Sequence, residues 1–237
     1  MRNYIILNGV NSNTLTGLLI SKLPPITKPK QRTQIEEING RDGDIVTTLG
    51  YGAYDKVIDI GLYGDFDIEE VMSYFNSKGT VTFSNEEDMY YNYQIVEQID
   101  FDRLIRFKTA KVRMHVQPFK YSAVEGTRTF NITTQEQITI INNGNYVSKP
   151  VITITGSGTI NLSVNGYEVL VLELGEDTTS ITIDTANMEA YNQNTSQLMN
   201  RSVTGDYDNL YLNAGNNTIS WTGTITEINI TNYSRWL

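Results

Sequence analysis

The chain contains a single histidine, and histidine is the side chain that most often transfers protons near neutral pH. This residue is His115, inside the strand-like run Lys111–Gln117. Strand alternation places His115 on the same face as Lys111 and Arg113, and a basic row of this kind opposes its protonation. A serine hydrolase would also need an activated serine, and the sequence has no Gly-x-Ser-x-Gly elbow. We therefore predict that His115 faces solvent or an interface and is not a catalytic base.

Neighbouring carboxylates are the second candidate, because a glycosidase needs only two of them at a suitable separation. The groups in this chain are adjacent in sequence, so a strand would direct their members to opposite faces. They are Glu36/Glu37, Glu69/Glu70 and Glu86/Glu87/Asp88. Solvated surface or helix capping is the better interpretation of these groups.

The sequence also lacks the motifs of loops that bind metal ions or phosphates. The run Asp42-Gly43-Asp44 lacks the ligand spacing of an EF-hand loop. No Walker-type Gly-x-x-x-x-Gly-Lys is present. The sequence therefore predicts that the protein is not an enzyme, needs no cofactor and holds no metal ion.

Aromatic side chains offer a binding function instead. One group lies in the weakly charged second half, where it could stack on a sugar, as in lectins, or fill a core. Its members are Tyr191, Tyr207, Tyr211 and Trp221. Burial is favoured, because Trp221 alternates with Ile219 in one strand. A second group, Tyr90, Tyr91 and Tyr93, we assign to a subunit contact, where tyrosine is enriched.

The most informative segment is Ile38–Ile45, in which two glycines bracket an Arg-Asp pair between two alternating runs. The Asn-Gly and Asp-Gly steps supply the positive φ angles that a reversal needs, so the pattern predicts a β-hairpin between Thr33–Ile38 and Ile45–Leu49. A hairpin isolated in water is marginally stable, and we expect its tip to contact a neighbouring subunit. The expected interface residues are Asn39, Gly40, Arg41, Asp42, Gly43 and Asp44.

Composition excludes several classes of protein. The net charge of −9 argues against binding nucleic acid through phosphates. No run approaches the roughly 18 apolar residues of a membrane span, so we expect no membrane insertion. The absence of cysteine excludes disulfides and thiolate metal sites.

The charge is unevenly distributed, which indicates two domains. Residues 1–124 hold 14 basic and 16 acidic side chains, a net charge of −2, whereas residues 125–237 hold 4 and 11, a net charge of −7. Near the change in composition, Pro118 ends a strand and small residues follow. We place the boundary at Val124 and predict domains at 1–124 and 125–237.

Only one helix is predicted in the first half, at Ile68–Ser77, with Asp67 as N-cap, Glu70 at N3 and Gly79 after its end. Its apolar stripe is Ile68, Val71, Met72 and Phe75. The strands predicted beside it are Tyr4–Leu7, Leu18–Leu23, Thr33–Ile38, Ile45–Leu49, Tyr54–Leu62, Thr80–Phe83, Met89–Ile99 and Ile105–Gln117.

The second half has no convincing helix and many short strands between turns, the pattern of a sandwich or jelly roll. The clearest turn is Asn165-Gly166, and residues 185–206 are left open between a crossover strand and a loop. The predicted strands are Thr127–Ile132, Ile138–Ile141, Val151–Thr155, Ile160–Val164, Tyr167–Leu174, Ser180–Asp184, Leu210–Leu212, Thr218–Trp221 and Glu227–Thr231.

Taken in order, these motifs resemble the distal tail protein family of long-tailed, siphovirus-type bacteriophages. The N-terminal motifs are the hairpin and its flanking segments. Leu18-Leu19-Ile20 and Pro24-Pro25 precede the hairpin, and Lys56–Leu62 follows it. The C-terminal motifs are Lys149–Gly158, Gly215–Ile219 and Ser234–Leu237. The resemblance implies a mainly β fold: an N-terminal β-sandwich with one α-helix and a projecting hairpin, then a galectin-like β-sandwich or jelly roll.

The resemblance also implies a function, as a structural part of a tail tip encoded by a phage, a prophage or a phage-tail-like bacteriocin. Six copies would form a ring that joins the tail tube protein to the tail-tip hub and the receptor-binding apparatus. Some relatives insert a long arm in the second domain to hold receptor-binding proteins, and this chain has no room for one. A carbohydrate-binding module that contacts the cell-wall glycan is the alternative. The protein would be made in the host cytoplasm and end in the virion tail tip.

Overall fold

The computed structural model describes residues 2–175 and 179–237, which divide into two compact units. The N-terminal unit ends at Ala123, and the C-terminal unit spans Val124–Trp236. Leu237 groups with the N-terminal unit. Each unit has its own buried apolar core.

The N-terminal unit is a curled antiparallel sheet with two short helices. Its sheet runs in the order β2-β1-β7-β8-β9-β6-β3, and β4 pairs only with β5 in the described structure. The elements are β1 (Ile5–Leu7), β2 (Val10–Asn11), β3 (Leu18–Lys22), β4 (Gln31–Glu37), β5 (Asp44–Tyr51), β6 (Tyr54–Leu62), α1 (Ile68–Tyr74), β7 (Lys78–Phe83), β8 (Met89–Gln94), α2 (Phe101–Phe107) and β9 (Thr109–Ser122), with a 3₁₀ turn at Ser12–Thr14.

Strands β6 and β9 form the centre of this sheet, paired from Tyr54↔Val116 to Gly61↔Thr109. The alternation predicted for β9 is confirmed, because Val112, Met114 and Val116 are buried in the core. Burial of such side chains contributes about 1.5–3 kcal/mol each, which fixes the register of this strand pair.

Helix α1 begins as predicted, since the Asp67 side chain accepts hydrogen bonds from the backbone N–H groups of Glu69 and Glu70. It ends three residues earlier than expected, at Tyr74, so Gly79 lies in β7 and is not its C-cap. The buried face contains Val71 and Tyr74, and Met72 is exposed. The Tyr74 hydroxyl donates within 3.1 Å of the Ile5 carbonyl, which ties the helix to β1.

Helix α2 was missed by the sequence analysis, which predicted one helix in this half and a strand from Ile105. Asp100 caps its N-terminus by accepting from Arg103 N at 2.8 Å, and Lys108 ends it with φ of 58°. Phe101, Leu104 and Ile105 have helical spacing, but only Leu104 is buried, and so short an apolar pattern fits a strand as well as a helix. The predicted strand Met89–Ile99 accordingly stops at Gln94.

The C-terminal unit is a β-sandwich. Its sheet order is β10-β17-β12-β13-β16, while β11 pairs with β17, and β14 pairs with β12 and β15. The strands are β10 (Arg128–Asn131), β11 (Gln137–Asn142), β12 (Val151–Val164), β13 (Tyr167–Leu174), β14 (Ser180–Asp184), β15 (Glu189–Tyr191), β16 (Val203–Gly205), β17 (Gly215–Thr231) and β18 (Arg235–Trp236), with 3₁₀ turns at Asn200–Ser202 and Tyr207–Asn209.

Two long bent strands replace four of the short predicted ones. The predicted strands Val151–Thr155 and Ile160–Val164 are joined, because β12 continues through Gly156-Ser157-Gly158, and β17 likewise continues through Gly223. The two strands are antiparallel neighbours whose register shifts here, and their backbones lie close together. A Cβ atom on Gly156 would lie 2.2 Å from the Thr224 carbonyl oxygen, and one on Gly223 would lie 2.3 Å from that of Thr159. The glycines therefore allow each strand to bend at this point, and the chain does not reverse its direction there.

The carboxylate of Glu125, near the start of the C-terminal unit, binds Ser234, the residue before β18. We call this contact the Glu125 latch. The Glu125 carboxylate accepts hydrogen bonds from Ser234 N at 2.7 Å and from Ser234 Oγ at 2.8 Å. Nearby, Thr127 and Thr231 share a hydrogen bond between their hydroxyls, and Arg128 pairs with Ile230 in the ladder of β10 and β17.

The mainly β class is confirmed, and so is the Asn165-Gly166 hairpin, whose φ angles of 53° and 85° fit a type I′ turn between β12 and β13. The segment 185–206, left open by the sequence, contains β15, a 3₁₀ turn and β16. Leu210–Leu212 contributes only a single bridge in the described structure, from Leu212 to Ser148.

Replacing Trp221 by alanine should lower the free energy of unfolding of the C-terminal unit by roughly 3–5 kcal/mol, because Trp221 is only 5% exposed and lies in the core. Urea unfolding followed by circular dichroism measures the change. The matched control is Ile141→Ala, an exposed position of β11, which should cost less than about 1 kcal/mol. Equal losses in the two variants would contradict the assignment of Trp221 to the core.

Candidate functional site

The predicted hairpin is present as β4 and β5, a two-stranded sheet paired from Gln31↔Tyr51 to Glu37↔Asp44. Every residue of β4 is exposed, and no residue of β5 is buried. Ile35 and Val46 face each other across the strands, and each is 59% exposed. The hairpin therefore presents apolar side chains to solvent on a sheet with two open edges.

The tip of the hairpin is an open loop. Arg41 N donates to the Ile38 carbonyl at 3.1 Å, which closes the first turn. Gly40 and Gly43 have φ angles of 84° and 78°, as the sequence predicted for the two glycine steps. A Cβ atom on either glycine would have no neighbour within 4 Å, so the requirement for glycine there is conformational.

Polar side chains fix the backbone that leads into the hairpin. Asn85 Nδ2 donates to the Pro24 carbonyl at 3.1 Å, and Lys56 Nζ donates to the Pro25 carbonyl at 3.3 Å. The Tyr54 hydroxyl reaches the Thr27 carbonyl at 3.4 Å. The diproline segment has no regular secondary structure, and these bonds attach it to the β6 side of the core sheet.

Lys56 is a buried cation, only 2% exposed, and we call it and its partners the Lys56 cluster. Its ammonium lies 3.9 Å from a Glu86 carboxylate oxygen and 4.7 Å from the centre of the Tyr91 ring. Glu86 also accepts from the Tyr91 hydroxyl at 2.8 Å and from Lys120 Nζ. Burial lowers the pKa of Lys56, partly offset by the Glu86 carboxylate, and burial is also the main reason that the pKa of Tyr91 is raised.

Two of the three tyrosines assigned to a subunit contact are core residues. Tyr91 and Tyr93 are 2% and 4% exposed, because they alternate with outward-facing residues on β8 and their rings point into the core. Their hydroxyls bond to Glu86 and to the Asn76 carbonyl. This corrects the assignment for both residues. Tyr90 is half-buried and stacks on Tyr121 with ring centres 5.4 Å apart.

His115 belongs to a group of polar side chains on the outer face of the sheet. Its Nδ1 lies 2.8 Å from Asp55 Oδ1, and Arg113 lies 3.5 Å from the other oxygen of Asp55 and 3.3 Å from Glu97. Asp55 has no local signal in the sequence, because the pairing of β6 with β9 creates the contact. Such exposed pairs contribute about 0–1 kcal/mol each.

Two of the three carboxylate groups lie where the sequence analysis expected. Glu36 and Glu37 are on the exposed hairpin, and Glu69 and Glu70 form the first turn of α1. Glu86 is the exception, since it lies within the Lys56 cluster and its side chain is only 6% exposed.

The aromatic residues proposed for sugar contact are separated onto different elements of the C-terminal unit. Trp221 is in the core, as the favoured prediction held, so it cannot stack on a ligand. Tyr207 packs against the same core, and its buried hydroxyl has no hydrogen-bond partner among residues 2–175 and 179–237. Tyr191 pairs with Thr182 between β14 and β15. Tyr211 is exposed and lines an open cavity.

Within residues 2–175 and 179–237, no cluster of three His, Asp or Glu side chains is arranged to hold a metal ion. No helix in the same residues has the length and apolar character needed to cross a membrane.

No family model matches the chain, and no curated protein matches it significantly. Solved structures do match. The Dit (gp 19.1) protein of phage SPP1, described as a paradigm of the hub adsorption apparatus in phages that infect Gram-positive bacteria, aligns over 100% of both chains with a TM-score of 0.72 and 18% identity. The fold is therefore that of the SPP1 Dit protein.

The baseplate of phage P2 in its activated conformation gives two further matches. The structure with Ca aligns over 97% of each chain with a TM-score of 0.56 and 12% identity. The structure with Sr covers 96% of this chain and 97% of the other, with a TM-score of 0.53 and 11% identity. At these identities the similarity is one of fold.

The Lys56 cluster predicts an order of stability among variants. Glu86→Gln leaves the Lys56 ammonium buried without its carboxylate and should lower the free energy of unfolding by about 3–5 kcal/mol. Lys56→Met should cost less, because Lys120 still neutralises Glu86. Urea unfolding of the two variants measures the difference. A larger loss for Lys56→Met would contradict the view that unpaired charge dominates.

The same cluster predicts how firmly the segment before the hairpin is held. Lys56→Met removes the donor to the Pro25 carbonyl, so the backbone of Ile26–Lys28 should become more mobile, with lower amide order parameters in NMR relaxation than in the parent. Lys120→Met is the matched control, because it removes a cation of the cluster but keeps that hydrogen bond. Equal order parameters in all three proteins would show that Lys56 does not anchor the segment.

Proposed function

We propose that this protein is a structural component of the tail tip of a long-tailed phage, prophage or phage-tail-like bacteriocin. In this role, copies of the chain form a six-membered ring that joins the tail tube to the tail-tip hub. The observation that carries the proposal is the match to the SPP1 Dit hub protein over the full length of both chains. Similar baseplate structures support the same role.

The hairpin is the surface best suited to contact a neighbouring copy in the ring. A hairpin with both faces in water gains little from burial, whereas a neighbouring subunit would cover the Ile35–Val46 pair. Head-to-tail contacts repeated around a closed axis use one such protrusion per copy and leave none unpaired.

The tip adds specificity to this contact. In the part of the chain that the structure describes, the Arg41 guanidinium makes no ion pair. It can therefore bind a carboxylate of the next copy with two parallel hydrogen bonds. Asp42 and Asp44 lie beside it and would exclude a second acidic group from the same place. Tyr90 remains a proposed contact on β8.

The remaining partners follow from the position of the ring. One face would meet the tail tube protein and the other the tail-tip hub protein, with receptor-binding proteins attached through the hub. The protein would be synthesised in the host cytoplasm and function in the virion. Interfaces of this permanent kind are large and more apolar than the rest of a protein surface, which fits the exposed Ile35–Val46 pair of the hairpin.

The test replaces the apolar pair while keeping the hairpin folded. Ile35→Lys with Val46→Glu places opposite charges across the strands, an arrangement that stabilises antiparallel pairs. We expect the parent to sediment as a ring at high concentration and the double variant to associate at least about tenfold more weakly per interface. Electron microscopy of the same samples should show a ring with a central channel for the parent alone.

The matched control is Val96→Lys, which adds charge at an equally exposed apolar residue outside the hairpin. It should assemble like the parent. Melting transitions of all three proteins check that the fold is retained. A ring that persists in the double variant, with normal incorporation into tails, would remove the hairpin from the interface.

A further inference from the structure

An open cavity of about 380 Å³ lies on the C-terminal unit, at the turn between β12 and β13. Its volume is at the lower end of the range for pockets that hold small ligands. The loop that follows the last 3₁₀ turn supplies the opposite wall. The residues that line the cavity include Val164, Tyr167, Glu168, Asn209, Tyr211 and Asn213.

A buried amide holds both walls of the cavity in place. Asn217 Oδ1 accepts from Asn213 N at 2.8 Å and from Asn165 Nδ2 at 2.9 Å. Its Nδ2 donates to the Asn213 carbonyl at 2.8 Å. Asn165 Oδ1 in turn accepts from Thr218 N at 2.9 Å. The cavity is therefore shaped before any ligand arrives, which reduces the entropy lost on binding.

Tyr211 is presented by the same loop in a fixed position. Leu210 and Leu212 on either side of it are fully buried, so the chain alternation turns the Tyr211 ring outward. Leu212 is also hydrogen-bonded in both directions with Ser148, by two bonds of 2.9 and 3.0 Å. A ring on such a rigid backbone is an aromatic platform that can bind at low entropic cost.

An irregularity in β13 turns two further side chains toward the cavity. Leu162 pairs with Leu170 but Ser163 pairs with Glu168, so Val169 is an extra residue in the ladder. Regular alternation from Leu170 would bury Glu168, whereas the bulge leaves both Tyr167 and Glu168 exposed. Bulges of this kind often re-aim side chains next to binding sites.

The lining selects a chemical class of ligand. Among the lining residues there is no lysine or arginine, so a phosphate or carboxylate has no cation to bind. A single carboxylate, Glu168, is too few hard ligands for a calcium ion. What remains is hydrogen-bonding amides and carboxylate beside two tyrosine rings, which suits a molecule with many hydroxyls on one side and C–H groups on the other.

We propose that this cavity binds one residue of a neutral glycan. A hexose or N-acetylhexosamine would contact both tyrosine rings, Tyr211 and Tyr167, with its C–H groups and donate hydroxyl hydrogen bonds to Glu168 and Asn213. In the described residues the side chains of Tyr167, Glu168 and Asn213 have no hydrogen-bond partner, so they are available to a ligand. All of these residues belong to the C-terminal unit, so this inference does not rest on ring formation.

The experiment uses the full chain and saturation-transfer difference NMR, which works for a monomer or a ring. The probes are methyl glycosides of glucose, galactose, mannose, rhamnose, N-acetylglucosamine and N-acetylgalactosamine, each at about 10 mM, where a site with a dissociation constant near 1 mM is mostly occupied. We expect transfer to the ring C–H protons of at least one sugar. Tyr211→Ala and Tyr167→Ala should each weaken its binding about tenfold or more.

Tyr233→Ala is the matched control, since Tyr233 is an exposed tyrosine of the same unit outside the cavity lining. It should bind like the parent. Tyr167 is 77% exposed, so its variant folds even if Tyr211→Ala does not. No transfer to any of the six sugars, unchanged binding in Tyr167→Ala, or stronger binding of glycerol 3-phosphate than of the sugars would each overturn the proposal.

Discussion

The N-terminal unit depends on one buried charge, the ammonium of Lys56. Three parts of the chain meet at it: the central strand β6, the β7–β8 turn that carries Glu86, and the diproline segment before the hairpin. A buried ammonium is costly unless several groups satisfy it, so these parts cannot move apart independently. The hairpin can protrude with both faces in water because the backbone at its base is fixed in this way.

Sequence patterns predicted the elements whose residues carry a strong local signal. The hairpin tip was identified because glycine is needed at Gly40 and Gly43, and β9 was identified because its apolar residues alternate. Helix α2 was not found, since it buries Leu104 alone and ends at a lysine where glycine would have been the usual signal. Its cap Asp100 and the basic Arg106 in the last turn were the available indications.

Long-range contacts account for most of what the sequence could not predict. Gly156 and Gly223 favour turns in isolation, and only the close approach of the paired strands β12 and β17 explains why glycine is needed at both positions. Glu86 resembled a solvated surface residue until its partner Lys56 was placed 30 positions earlier in the chain on β6. The residues that line the proposed glycan cavity come from the β12–β13 turn and from a loop more than forty residues later, so no local pattern groups them. Of the aromatic residues predicted for sugar contact, Tyr211 lines the cavity and Trp221 does not.

The Glu125 latch, which joins Glu125 to Ser234, determines how the C-terminal unit responds to a force that pulls its two ends apart. Its first residues and the region of Ser234 lie side by side, at the same end of the ladder between β10 and β17. A tension applied to both ends of this unit would therefore open that ladder bond by bond, as a zipper opens, and would not shear all its hydrogen bonds at once. The hydrogen bonds between Glu125 and Ser234 lie outside this ladder, so they would be loaded before the bonds that join β10 to β17.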